Sequence, residues 1–87
     1  MSALDVQNDT LTILLCNRLS SHLDSKHHAI KLSKCCKIIR DKTKDKILYG
    51  ACKSIIKAVS GGAYTQAILV MGITEQNYFR EYNHGNN

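Results

Sequence analysis

Along this chain the apolar residues recur at intervals of three and four and never alternate for long. That period is helical. Leu11, Leu15, Leu19 and Leu23 stand four apart, with Ile13, Leu14 and Cys16 beside them, and the spacing predicts a first helix over about residues 8–23. Asn8 or Asp9 is placed to cap its start, and Asp24 or Ser25 to cap the next. A second helix over about 26–41 carries Ala29, Leu32, Cys35 or Cys36, and Ile39 on one face. Lys31, Lys34, Lys37 and Arg40 spread over the other.

The six residues "DKTKDK" hold nothing apolar and read as a break, with Thr43 or Asp45 ready to cap a third helix. Ile47, Leu48, Ala51, Ile55, Ala58 and Val59 give that helix a broad apolar stripe, and Ser60-Gly61-Gly62 ends it. Residues 8–59 thus read as three helices. The segment 61–82 reads as two more, with a short helix from Tyr64 to Met71, a turn at Gly72-Ile73, and a last helix from Thr74 to about Tyr82. Residues 83–87 lack any core-forming side chain and are expected to fray. The expectation is one all-α domain of about five helices.

Composition agrees. Proline is absent, where ordinary usage would give ~4, and five aromatics supply little for strands. A chain of 87 residues buries only ~60–65% of its unfolded surface, so association with another copy is a natural source of further core. The four cysteines do not read as a disulfide framework. Cys35 and Cys36 are adjacent and point apart on a helix, and all four sit at or beside apolar positions. No basic, apolar leader opens the chain, and no apolar run approaches the ~20 residues of a membrane span. A soluble protein of the reducing cytoplasm is expected.

Charge is distributed unevenly. Residues 1–25 carry a net −2, residues 26–57 a net +8, and residues 58–87 a net −1. A basic middle of this size suits a polyanion, or else a solvated lysine face.

The segment 61–82 meets the requirements of a helix-turn-helix. Ile68, Leu69 and Met71 anchor a first helix, Gly72 gives the turn, and Ile73 plugs it. Tyr78, with Phe79 or Tyr82, seats a second helix whose outward residues are Glu75, Gln76, Asn77 and Arg80. Gln and Asn pair with adenine and Arg with guanine, so these four are the candidate base readers. Lys42, Lys44, Lys46, Lys53 and Lys57, with Thr74 as the cap, are the candidate phosphate contacts. The ordinary alternative is an αα-hairpin with a polar outer face.

The block "DKILYGACKSIIKAVSGGAYTQAILVMGITEQNYF" resembles the PapB-type regulators of bacterial fimbrial (adhesin) operons. Those have a helix, a glycine-containing turn followed by Tyr-Ser, a short helix, and a recognition helix beginning near a Tyr-Phe pair. Gly61-Gly62, Tyr64-Thr65 and Tyr78-Phe79 stand in those places. The chain departs in a third helix about a turn longer and in a shorter, more apolar segment between Tyr64 and Gly72. The first 40 residues lie outside the likeness. The resemblance implies a small, oligomeric, double-stranded-DNA-binding transcription regulator, dimeric or larger.

Other chemistries find less support. The cysteines and His22, His27, His28 and His84 show no C-x-x-C or H-x-x-x-H spacing, so no metal or other cofactor is expected. The carboxylates are scattered and Gly61-Gly62 lacks a following Gly-Lys-Ser/Thr, so no enzyme is expected. The basic helix over 26–41 has no aromatic on its apolar face, which argues against a membrane surface. The rival to DNA is a small helical adaptor that binds another protein through exposed apolar residues and modulates it.

Overall fold

A computed structural model describes the backbone of residues 3–85 and the side chains of residues 9–77. The architecture is all-α, with four helices in succession: α1 (Ala3–Ser20), α2 (Ser25–Lys42), α3 (Lys46–Ser60) and α4 (Tyr64–Gly85).

The middle two helices begin where their caps predict. Asp24 accepts the His27 amide at 2.9 Å, and Asp45 accepts the Ile47 amide at 3.1 Å, so each satisfies a donor that the first turn leaves unpaired. The end of α3 is a glycine cap. Gly62 takes φ 79°, its amide donates to Val59, and the Ala63 amide reaches back to the Ala58 carbonyl at 2.8 Å. This is the Schellman pattern, which needs a left-handed residue where Gly62 stands. It turns the chain so that α4 packs back on α3.

α2 is the central element, packed against all three others, while α1 touches α4 only lightly. Ala29, Leu32, Cys36 and Ile39 of α2 meet Leu48, Cys52 and Ile55 of α3, with Ala67 and Met71 of α4 closing one side. Among its described side chains α1 adds one that is large and fully buried, Ile13. Along α2 those positions advance by three, four and three, which keeps them on one stripe.

Three expectations are corrected. First, α1 starts at Ala3 and stops at Ser20, so Asp9 caps nothing; it lies inside the helix, buried, 3.6 Å from the Lys42 ammonium. Second, the helical period of the first helix does not mark its core face, and the row of leucines, which the sequence offers as an oligomer surface, lies outside. Leu11, Leu15 and Leu19 are 55%, 57% and 65% exposed, and Ile13, with half-buried Leu14 and Cys16, forms the inner side. Third, there are four helices rather than about five, because α4 runs unbroken through Gly72.

The physical reason is visible in α4 itself. Ala67, Met71 and Thr74 are buried at helical spacing, and they share a face only if the helix continues. A single mid-helix glycine costs only about 1 kcal/mol relative to alanine, too little to overrule that face. Gly72 has no positive φ. Thr74 is not an N-cap either, since its hydroxyl donates to the Val70 carbonyl four residues back at 2.8 Å. Ile73, expected as a buried plug, is 52% exposed. The helix runs to Gly85, past the end expected near Tyr82.

Candidate functional site

Of the residues proposed from sequence as a DNA-reading set, Glu75 parts from its neighbours Gln76 and Asn77. Glu75 turns inward: its carboxylate accepts the Asn17 side-chain amide at 3.0 Å, and Asn17 in turn accepts from His28 Nε2 at 2.8 Å. Those three side chains tie α4, α1 and α2 together. Because Asn17 Oδ1 can only accept, His28 carries its proton on Nε2 in that contact. Burial holds His28 below the usual histidine range, so the neutral ring is the form this arrangement favours. Thr74 is buried. Gln76 and Asn77 are exposed on α4, and the side chain of Arg80, like those of Tyr78, Phe79 and Tyr82, lies outside the described residues.

The candidate phosphate contacts are divided as well. Lys42 at the end of α2 pairs with Asp9. Lys44 in the α2–α3 connection and Lys46 at the start of α3 are exposed, as are Lys53 and Lys57 one turn apart on α3. Lys53 stands 5.5 Å over the Tyr49 ring, a cation–π distance.

A better-assembled feature lies elsewhere. α1 and α2 run antiparallel, as the pairings Asp9 with Lys42 and Cys16 with Lys31 require. Between them is a groove with a volume of about 590 Å³. Leu15, Leu19 and Leu23 supply its apolar wall, Cys16 and Cys35 its floor, and the exposed Lys31 and Lys34 its far rim. No carboxylate lines it. Leu11 extends the α1 row by one turn. Ile38, 64% exposed and one turn past Lys34 and Cys35, continues the apolar surface on α2. Exposed large apolar side chains are ordinary when scattered, and here they stand in a row beside a groove.

The groove floor has its own electrostatics. The Cys16 thiol is drawn down to about 6, chiefly by a hydrogen bond from Cys35, with burial opposing and with Ser20 and the Lys31 charge assisting. Cys35 is pushed up by the same contact and by burial. Cys36 is likewise pushed up by its contact with Cys52 and by burial in the core.

Among the described residues no group of three or more His, Cys, Asp or Glu side chains is arranged to hold a metal ion. No described helix is long and apolar enough to cross a membrane. Comparisons with family models, with curated proteins and with solved structures find no match.

From sequence the leucine-rich first helix is a candidate oligomer surface, but the groove beside it depends on how α1 packs on α2. The signal was present all the same. α1 has apolar residues on both sides, Ile13 and Leu14 on one and Leu11, Leu15 and Leu19 on the other, more than a helix touching the bundle along one face can bury.

Proposed function

We propose that this chain is a small helical adaptor whose α1–α2 groove takes up an acidic amphipathic helix from another protein. The observation that carries this reading is the row Leu11, Leu15 and Leu19, in solvent, facing a rim of Lys31 and Lys34 with no carboxylate in the lining. A helix laid in such a groove presents apolar anchors three and four residues apart to the leucines and carboxylates to the lysines. A second copy of this chain is the weaker occupant. Among the described side chains of α1 the carboxylate is Asp9, which is already buried against Lys42 and so is not presented to the rim.

The test is fluorescence anisotropy with a labelled helical peptide bearing leucines at that spacing and glutamates on its flanks. A control peptide carries lysine in place of every glutamate. Saturable binding of the acidic peptide, lost in a Leu15→Glu/Leu19→Glu variant and weakened by Lys31→Glu, is the expected result. Equal affinity for both peptides, or none for either, overturns the reading. Sedimentation of the free chain reports on the self-association alternative, since a dimer broken by the same leucine changes would give the groove to a second copy.

A second reading is a small DNA-binding transcription regulator, dimeric, of the kind the PapB-type resemblance implies. It draws support from the exposed lysines 44, 46, 53 and 57 and from exposed Gln76 and Asn77. With α4 continuous, the three-residue glycine turn belongs to α3 and α4 together, so any reading helix would be a long one. Under this reading Lys53→Ala or Lys57→Ala weakens binding to all duplexes alike and flattens the salt dependence, whereas Gln76→Ala or Asn77→Ala costs ~1–3 kcal/mol on a specific site only. Anisotropy on mixed-sequence duplex at two salt concentrations decides it, and absence of binding at the lower salt discards it.

A further inference from the structure

The four cysteines fall into two pairs. Cys16 of α1 and Cys35 of α2 line the same groove, the Cys16 sulfur lying 3.7 Å from the Lys31 carbonyl one turn before Cys35, while Cys36 of α2 and Cys52 of α3 share the buried core. Adjacent residues on a helix point about 100° apart, so Cys35 and Cys36 each serve a different neighbour, one toward α1 and the other toward α3. All four are free thiols.

The pairs differ in access. Cys36 and Cys52 are sealed in the core at 0% exposure, out of reach of any reagent that does not open the fold. Cys16 and Cys35 are half-buried and both line the α1–α2 groove, where a small molecule reaches them directly. Around Cys16 the groove supplies what a reactive thiol needs. Ser20 and Cys35 line the groove with it, and the Lys31 charge alongside helps to draw the thiol down. When protonated, its thiol donates to the Lys31 carbonyl at 3.7 Å. His22 and Lys34 are the other titratable groups lining the groove, and neither is an anion at any pH. A reactive thiol beside a second thiol, in the open, is the arrangement of a peroxide-responsive pair rather than of an inert core cysteine.

We propose that Cys16 and Cys35 are an oxidant-responsive site that takes hydroperoxides, with Cys16 as the attacking thiol and Cys35 as the resolving one. In the first step the Cys16 sulfur attacks the terminal peroxide oxygen. The O–O bond breaks, Cys16 becomes a sulfenic acid, and the alkoxide or hydroxide leaves with a proton as alcohol or water. In the second, Cys35 gives up its proton and its sulfur attacks the Cys16 sulfur. The S–O bond breaks, water leaves, and a disulfide joins α1 to α2. Two thiols are oxidised by two electrons and one hydroperoxide is reduced. The inner pair takes no part. Oxidation locks the floor of the groove and the two helices that form it, and this holds whatever occupies the groove.

The experiment treats the full-length chain with hydrogen peroxide under native conditions and reads intact mass, then non-reducing tryptic peptides. The expected product is 2 Da lighter, with the Cys16 peptide bonded to the Cys-Cys-Lys peptide. Since Cys35 and Cys36 share that peptide, the variants assign the bond. Cys36→Ser keeps the link and Cys35→Ser abolishes it, leaving a sulfenic acid at Cys16 that dimedone traps. Alkylation of Cys16 in Cys35→Ala and in the unaltered chain adds a readout that a packing role would not move. The half-point of its rate lies near pH 6 in the unaltered chain and climbs toward the ordinary ~8.5 once the hydrogen bond from Cys35 is lost. A first disulfide between Cys36 and Cys52, a bond between two chains, no mass change, or a half-point above pH 8 in the unaltered chain overturns the proposal. Circular dichroism of each variant shows whether it is folded, and Cys36→Ser and Cys35→Ala each stand in for a Cys35→Ser that is not.

Discussion

Two rows of large apolar side chains run along helices of this protein, and they have opposite fates. The row on α2, Leu32 and Ile39 with Ala29 and Cys36 between and beside them, is completely buried. The row on α1, Leu11, Leu15 and Leu19, stands in solvent. Both have the helical period, and the α1 row has the larger side chains. What separates them is position: α2 is surrounded by three helices, and α1 lies at the edge with another of its faces, the one carrying Ile13, already used. Periodicity therefore identifies a stripe that can be buried, and the number of neighbours decides whether this chain alone buries it.

The sharpest way to break that comparison is truncation. Leu32→Ala or Ile55→Ala removes a fully buried side chain and leaves a cavity, with an expected loss of about 2–5 kcal/mol in urea unfolding. Leu15→Ala or Leu19→Ala is expected to change stability by less than about 0.5 kcal/mol, since those side chains are wet in the folded state too. A loss of 2 kcal/mol at Leu15 would mean that the outer row is covered, by another copy or by a different packing of α1.

Much of this contrast was legible in the residues, and the rest required the third dimension. The inner positions Ala29, Leu32, Ile39, Leu48 and Ile55, the caps Asp24 and Asp45, and the glycine stop at Gly61-Gly62 follow from local rules that need no knowledge of neighbours. The outward turn of Leu11, Leu15 and Leu19 does not, because two apolar faces of α1 compete for one contact. The inward turn of Glu75 escapes for a similar reason: a carboxylate beside Gln76 and Asn77 reads as surface until Asn17 is known to face it. Candidate pairs among the cysteines were open for any arrangement that separates Cys35 from Cys36, and only the packing of α1 and α3 on α2 selects partners.

The boundary between inner and outer faces on α1 is polar, and it can be tested next. Asn17 joins buried His28 to Glu75. Asn17→Leu leaves both without that partner, and the expected cost is about 1–3 kcal/mol. The same site gives a pH signature. His28 lies below its ordinary range when folded, so the unfolded chain binds its proton more readily. The contribution of His28 to stability is then level above about pH 7, where both states are neutral, and falls as pH drops through the unfolded histidine value of about 6.5 toward the folded one. Cys16, drawn down to about 6, adds a decline of its own over the same range, so the comparison is made in a Cys16→Ser background, where His28→Gln is expected to flatten the decline in denaturation measured from pH 8 to pH 5. Asp24, held below the carboxylate range mainly by the His27 amide and then by its ring, acts only at more acidic pH and does not blur the window.

The smallest expected effect concerns whether Ile73 belongs to the outer set. In a broken helix, Gly72 would take positive φ and Ile73 would turn inward as a plug. In the continuous α4, Ile73 joins Leu69 one turn back on the outer side, and a methyl group added at Gly72 meets nothing within 4 Å. Gly72→Ala should therefore stabilise the protein by about 0.5–1 kcal/mol, the difference in helix propensity. The same change at Gly62, where φ is 79°, should destabilise it by about 1–2 kcal/mol, because a side chain there strains the left-handed backbone. Thermal unfolding of the two variants side by side separates the arrangements. If both glycines lose stability to alanine, a turn exists at each, α4 is two helices, and the helix-turn-helix expected from sequence over residues 61–82 returns with Ile73 at its centre.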